Sequence, residues 1–503
     1  VSSPDTAFVV ERRSIDIVPD SERHGRPLNQ FTLWLGANLQ ITGIVTGALA
    51  VIFGADAFWS IIGLLAGNML GGVVMALHSV QGPRLGLPQM ISSRAQFGVY
   101  GAVVPLCCVV LMYCGFVASS SVLAGQAVAA LAHIDVTSGI IIFSVISAAI
   151  AVVGYRMIHA LGRIASAIGV LAFLYLAFRL IQDSDLGAIL SERHTGVPEF
   201  LLAMALSAGY QLAYGPYVAD YSRYLPRSVS PKVTFWSTYA GSVLGCQWSM
   251  AFGALAAAAG GSAFTDNQVG YVVGLGATGL VAASLYFVIA LGKLTINVLN
   301  TYGGFMSMVT IVSGFRGQYR ISRTARTVYI LAIIAVGTTM AVLGRTNFLP
   351  NFSTFLLFLL TFFTPWSAVN LVDYYCIAKE RYDTPALTDP NGRYGRWRWR
   401  ALVAYGLGVL TQVPFLATSF YTGPLVDRLG GADISWIIGL AFTGFLYYFL
   451  ARSDQGTVPE ALILPDEVFD TDTPTDKAGP RTVPPPNEGA VPGPVPAHGE
   501  RTQ

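Results

Sequence analysis

Leu33-Trp34-Leu35-Gly36-Ala37-Asn38-Leu39-Gln40-Ile41-Thr42-Gly43-Ile44-Val45-Thr46-Gly47-Ala48-Leu49-Ala50-Val51-Ile52-Phe53-Gly54 is an uncharged run long enough to cross a bilayer. About 20 apolar residues suffice for a helical span. At its centre, Asn38-Leu39-Gln40-Ile41-Thr42-Gly43 sets polar side chains and a glycine where lipid offers them no partner. A membrane helix broken at mid-span frees backbone groups, and such breaks hold solutes and ions in transporters. The stretch therefore predicts a membrane protein whose first helix is interrupted for a purpose.

Working outward, eleven more apolar stretches follow at about 57–79, 101–131, 137–154, 159–181, 198–219, 232–260, 273–302, 325–344, 351–378, 400–420 and 434–451. They are continuous, whereas a β-barrel would show alternating segments of about ten residues. The expected fold is an all-α polytopic membrane protein with twelve transmembrane helices. Composition agrees. Of 503 residues, 53% are hydrophobic and 12% charged, against about 25% charged in a soluble domain. Mean hydropathy is +0.56. A net charge of +2 gives no general bias toward nucleic acid, so the partners expected are the lipid bilayer and a small solute. Cys107, Cys108, Cys114, Cys246 and Cys376 all lie in apolar runs without metal-type spacing. They read as small hydrophobes with no disulfide framework and no metal. The N-terminal stretch lacks the apolar core of a cleavable signal peptide.

Loop charge sets the expected orientation. With an even number of spans, 22 Lys and Arg fall on one side, and only Arg179, Arg193, Arg345 and Arg428 on the other. Both termini are expected in the cytoplasm, in a plasma-membrane protein. The chain divides into a cytoplasmic segment at 1–30, a ten-helix core at 31–378 (halves 31–182 and 198–378), two peripheral helices at 400–452, and a disordered tail at 453–503. The tail holds ten of the chain's 26 prolines and too little apolar surface to offset its ordering entropy. Gly63, Gly67 and Gly71 recur every four residues. Such a ladder lets backbones approach closely in lipid, and packing within the same chain is expected over dimerisation.

A second break is expected where Ser207-Ala208-Gly209-Tyr210-Gln211 runs into Gly215-Pro216, because proline cannot donate to the helical ladder. It lies five spans after the first, as an inverted five-plus-five repeat would place it. Polar residues inside the apolar spans include Ser119, Ser120 and Ser121, then Gln211, then Lys293, Thr295, Asn297 and Asn300. Amides match the amide-like edge of a planar heterocycle, and a ring such as Phe116 offers a stacking face. Interhelical structural bonds are the competing role for Gln211 and Asn300. Lys293 is the sharpest anomaly: a charge inside a span is costly and marks function, although an interfacial lysine would snorkel. No His-Glu-x-x-His, Gly-x-Ser-x-Gly or phosphate-cradling loop appears, so neither an enzyme nor an ATP-driven pump is expected.

Three motifs in order then carry a resemblance. Gly82-Pro83-Arg84-Leu85-Gly86-Leu87-Pro88-Gln89-Met90-Ile91-Ser92-Ser93-Arg94-Ala95-Gln96-Phe97-Gly98, Ala219-Asp220-Tyr221-Ser222-Arg223-Tyr224-Leu225-Pro226, and Pro365-Trp366 with Val372-Asp373-Tyr374-Tyr375 resemble the nucleobase:cation symporter-1 family, in its purine–cytosine permease branch. The resemblance covers about residues 10–455. It implies a LeuT-like fold with two inverted five-helix repeats, two peripheral helices and alternating access. It places the heterocycle beside Gln40, Phe116, Ser120, Gly209, Tyr210 and Gln211. Asn297-Val298-Leu299-Asn300-Thr301-Tyr302, similar to Asn-Ile-Pro-Asn-Met-Tyr of fungal permeases, adds Asn297 and Asn300. Sodium-coupled members use helix 1 backbone oxygens, here at Gly36 and Leu39, and a Ser-Thr pair that is Leu294-Thr295 in this chain. With one hydroxyl missing and Lys293 alongside, H+ is the expected coupling ion over Na+. The expected function is import of nucleobases, cytosine and/or purines, by cation symport. The alternatives are symport of a related heterocycle (allantoin, a nucleoside, a vitamin-like compound) and a channel or receptor-like binding protein.

Overall fold

The computed structural model of the chain describes residues 16–153, 155–275, 277–317, 321–418 and 420–454. The first span is split: α1 (Pro27–Asn38) and α2 (Ile41–Ile52) meet at 61° across Leu39-Gln40. There follow α3 (Ala57–Leu85), α4 (Gln89–Phe97), α5 (Val103–Ala132), α6 (Val136–Val153) and α7 (Tyr155–Asp183). The short α8 (Leu186–Ser191) leads into a second interrupted pair, α9 (Val197–Leu212) and α10 (Val218–Ser222). Next come α11 (Pro231–Gly260), α12 (Ser262–Asp266), α13 (Gln268–Gly274) and the 38-residue α14 (Gly279–Arg316). The remaining helices are α15 (Arg323–Gly344), α16 (Phe348–Leu371), α17 (Trp399–Gln412) and α18 (Ser435–Ala451).

Local chemistry sets these limits. Pro27, Pro198 and Pro231 stand in the first turns of α1, α9 and α11, where a missing N–H costs nothing. Asp56 caps α3 by accepting from the Trp59 amide at 2.9 Å, and Gly86 ends it with φ +66°. α16 runs through Pro365 and loosens into a π-helical turn at Val372–Ile377.

Among the described residues, seven helical runs are long and apolar enough to cross a membrane, or eight with α1–α2 taken as one. Of the segments expected to span, 159–181, 198–219 and 400–420 coincide with α7, α9–α10 and α17, which do not reach that mark alone. α15 and α16 count as one run over Arg323–Ile377. Large apolar side chains crowd the outer faces, including Val145 on α6, Leu171 on α7, Leu343 on α15 and Phe445 on α18. A surface of that kind belongs in lipid. Inside, α1, α2, α3, α5, α9, α11 and α14 pack on one another around the two breaks.

The Gly63, Gly67 and Gly71 ladder of α3 faces α9. A Cβ at Gly67 would lie 2.0 Å from the Met204 carbonyl, and one at Gly71 2.7 Å from Gln211 Cβ. The stretch 82–98, read as a loop, is helical on both sides of Leu87: α3 runs to Leu85, and α4 is wholly buried. The segment at 1–30 already contains the first turn of α1. Upstream of it, Val18 bonds Gly86 and the buried Arg23 donates to the Val18 and Pro83 carbonyls. The expected tail at 453–503 lies outside the described residues from 455 onward. Its first two residues are ordered, with Asp454 paired to Arg398 and Arg400.

Candidate functional site

The break between α1 and α2 is built by Leu39 and Gln40. Gln40 is fully extended, at φ −151° and ψ 159°. Asn38 anchors the end of α1: its amide donates to Trp34 O at 2.8 Å and to Ser242 Oγ at 3.3 Å, while Tyr214 donates to its Oδ1. Ser249 of α11 donates to the Asn38 carbonyl at 2.6 Å. A carbonyl freed by the break thus gains a side-chain partner. The second break, Ala213 to Tyr217, faces the first.

Between them lies a cavity of about 90 Å³. α1–α2 contribute Trp34, Ala37, Gln40 and Thr42; α5 contributes Phe116 and Ser120; α14 contributes Lys293 and Asn300. The second break contributes Tyr210, Tyr214, Tyr217 and Tyr221. The rings meet edge to face. Phe116 and Tyr210 have centroids 6.5 Å apart at 85°, and Tyr210 and Tyr214 are 5.6 Å apart at 89°. Trp34 packs on Tyr214 at 5.0 Å and on Tyr221 at 5.4 Å. Such walls offer stacking faces to any flat ring.

Lys293 is 2% exposed. Its ammonium donates to Gln40 Oε1 at 3.0 Å and to Thr42 Oγ1. Gln40 in turn donates to the Ala37 carbonyl at 2.9 Å and to the Tyr210 hydroxyl at 3.3 Å. A second hollow of about 60 Å³ lies on the far side of this pair. Gly36, Leu39, Gly169, Gly292 and Thr295 line it, and Lys293 and Gln40 line both hollows. The ammonium therefore bridges the two halves of the broken helix through neutral partners. Charge-assisted hydrogen bonds of this kind are roughly twice as strong as neutral ones.

The expected substrate set is divided. Gln40, Phe116, Ser120, Tyr210 and Asn300 line the cavity. Gly209 and Gln211 do not. Each lies one residue from Tyr210, about 100° around the helix. Gly209 packs on the α16 backbone, where a Cβ would meet Leu356 O at 2.9 Å. Gln211 bonds Ser242 at 2.7 Å and Asn68 at 3.3 Å, tying α9 to α11 and α3. Asn297 is fully buried outside the cavity, one turn along from Lys293, and neither atom of its amide has a partner. The expected coupling set of Lys293, Thr295, Gly36 and Leu39 gathers around the second hollow. Thr295 returns its hydroxyl to Leu291 O at 3.2 Å. Leu294 faces instead the apolar cluster against α15.

Sequence reasoning missed Trp34, Thr42 and three of the four tyrosines. The signal was present: Tyr210, Tyr214, Tyr217 and Tyr221 recur at three- and four-residue steps, the period of one helical face. Gly215-Pro216 drew attention to the break rather than to the stripe running through it.

The chain matches the family described as "Permease for cytosine/purines, uracil, thiamine, allantoin" over residues 17–439. It is 40% identical over 443 residues to YxlA of Bacillus subtilis, whose name describes a purine-cytosine permease, covering 88% of this chain and 96% of that one. Purine-cytosine permease fcyB of Emericella nidulans is 24% identical over 458 residues, with 88% of each chain covered. The fold is similar to that of Mhp1 in its inward-facing conformation, with a TM-score of 0.72 at 17% identity over 90% of this chain and 95% of that one. It is likewise similar to Mhp1 in a closed conformation with bromovinylhydantoin bound, with a TM-score of 0.70 at 16% identity over 90% and 98%. That protein is described as a nucleobase-cation-symport-1 family transporter.

Proposed function

This chain belongs to the family of permeases for cytosine/purines, uracil, thiamine and allantoin, and from that premise we propose that it imports a nucleobase, cytosine or a purine, together with one proton. It is a multi-pass membrane transporter of a cation-coupled family, not an enzyme. The observation that carries the proposal is the Lys293–Gln40 bridge, which touches both hollows at once.

The base stacks among Phe116, Tyr210, Tyr214 and Trp34, and its polar edge meets Gln40, Ser120 and Asn300. A base lacking the matching edge leaves a buried amide unpaired, which costs about 1–3 kcal/mol. Protonated Lys293 takes the place that a sodium ion would otherwise hold beside Gly36, Leu39 and Thr295. Its charge holds the Gln40 carbonyl, which turns the other end of that amide toward Tyr210 and the cavity. Loss of the proton strips the charge from the bonds to Gln40 and Thr42, which weakens them and loosens both the break and the base. Because the bridge is shared, the proton raises affinity for the base by the same factor that the base raises affinity for the proton. The pair shifts the protein among outward-open, occluded and inward-open states.

The same reading takes 31–378 as ten helices in two inverted repeats, supported by two breaks lying five expected spans apart. It takes 400–452 as two peripheral helices and so reaches twelve spans. It places both termini in the cytoplasm of a plasma-membrane protein, supported by the excess of Lys and Arg on one set of loops.

The test is uptake of radiolabelled cytosine, adenine and hypoxanthine into proteoliposomes under a proton gradient, a sodium gradient, or neither. Saturable uptake of at least one base under the proton gradient alone is expected, and Lys293→Met should abolish the response to pH. Proton-driven uptake that survives in Lys293→Met would overturn the role of the lysine. Failure of folded protein to carry any base would remove nucleobases as the substrate class.

A further inference from the structure

Beyond the central cavity, on the Tyr221 side, lies a larger hollow of about 230 Å³. Asp220, Arg223 and Tyr224, around the end of α10, line it on the side away from the central cavity. Leu33, Tyr217, Tyr221, Leu299 and Asn300 line both spaces, so the two adjoin. The outer one adds Tyr113 from α5, Tyr224 after α10, and Tyr302 from α14. Tyr113 and Tyr217 stand 5.7 Å apart at 38°, and Tyr217 and Tyr221 6.4 Å apart at 64°. The wall is fitted rather than loose: a Cβ on Gly303 would sit 2.3 Å from Tyr113 Cζ, so this ring lies against bare backbone. At the mouth, Asp220 accepts from the Gln89 amide at 2.8 Å, and Arg223 lies over the Tyr224 ring at 5.1 Å.

A water-filled exit needs no aromatic lining. This hollow instead presents five phenol rings and one amide, with one carboxylate and one guanidinium at its mouth that leave no net charge. That chemistry selects an uncharged flat ring with hydrogen-bonding edges, the same class the central cavity selects. Stacking on aromatic faces tolerates any base. Asn300 is within reach from either side, so a ring can move outward while keeping one polar contact and one stacked face.

We infer that the Tyr113–Tyr302 hollow is a second binding station for the heterocycle, occupied after the central site on the way to the cytoplasm. The inference rests on the proposed nucleobase reading. A base held there leaves the central cavity free. It also makes the base dissociate in two steps.

The test is calorimetric titration of full-length protein in nanodiscs with the base that the uptake assay identifies, carried to saturation. Wild type should bind two equivalents per chain. Tyr302→Ala and Gly303→Val, neighbours on α14 that both line the outer hollow, should each bind one, with the remaining affinity within about twofold of wild type. Phe116→Ala should also bind one, retaining the outer site. Tyr302→Phe, which keeps the ring, should still bind two. Thermal melts matching wild type establish that each variant is folded. One equivalent in wild type, lost in Phe116→Ala and untouched by Tyr302→Ala and Gly303→Val, would make the hollow a passage and overturn the inference. Absence of base binding in folded wild type would instead overturn the nucleobase reading on which it rests.

Discussion

Gln40 is the residue through which the two hollows communicate, since it accepts from Lys293 and donates toward Tyr210. Hydrogen bonds to charged groups contribute about 1.5–3 kcal/mol, so Gln40→Ala should weaken base binding roughly tenfold or more. The informative readout is its pH profile. Wild-type affinity should depend on pH, and that dependence should flatten in Gln40→Ala because the amide that carries the effect of the ammonium to Tyr210 is gone. Equal weakening at every pH would make Gln40 a substrate contact only. The sequence exposed Lys293 readily, because a charge inside an apolar span has few bland explanations. Its partners were harder to see. Gln40 lies 253 positions away, and no spacing rule joins α2 to α14. Gln211 shows the opposite failure: it is the right kind of residue in the right helix, but its neighbour Tyr210 takes the cavity face.

At the scale of elements, Asp56 joins the start of α3 to the strand of chain ahead of α9. Burial pushes its carboxyl up. Hydrogen bonds from the Thr195 hydroxyl and from the amides of Trp59, His194 and Thr195 outweigh that and hold it at about 2, below its ordinary 3.8. A carboxyl held lower in the folded than in the unfolded chain stabilises above its unfolded value. That contribution is intact above about pH 4 and lost as pH falls toward 2. Asp56→Ala should cost about 1 kcal/mol at neutral pH. Its melting temperature should also fall less than wild type's between pH 4 and pH 2, and parallel curves would show that Asp56 is not the group responsible. Both helix breaks were legible, because Asn38–Gly43 and Gly215-Pro216 contradict the spans around them. α4 was not. Its nine residues are polar enough to read as a loop, yet they are buried because their polar groups find partners inside. Arg94 donates to Thr310 O at 2.8 Å and Ser313 Oγ at 2.9 Å, Gln89 to Gln81, and Gln96 to Tyr382. Pairings such as Arg94 with Thr310 and Gln96 with Tyr382, 216 and 286 positions apart, are invisible to a hydropathy window.

Over the whole molecule, the fold class was written in composition and in run length, and the likeness to Mhp1 agrees with the LeuT-like architecture that the motifs implied. The division between structural and cavity-lining polar groups was not written there, because it depends on how α9, α11 and α14 rotate against one another. From one side of the cavity to the other, the aromatic lining changes character. Phe352, Phe355 and Phe116 lead to the cavity from one side, while tyrosines continue from it on the other. The tyrosine side is therefore the more polar one. The Lys293 bridge has a further consequence. In the proposed proton symport one amine carries one proton, so a neutral base would move inward with a single positive charge. At 100 mV, inside negative, that charge is worth about 2.3 kcal/mol, which limits accumulation at equal pH to about 50-fold. Each unit of inward pH gradient raises the ceiling about tenfold. The steady-state ratio of base inside to outside, measured against an imposed potassium diffusion potential, should approach that value, and a ratio that ignores the voltage would exclude one-charge coupling. Beyond the ceiling the same machine runs backward, so a cell that stops consuming the base turns its importer into a relief valve.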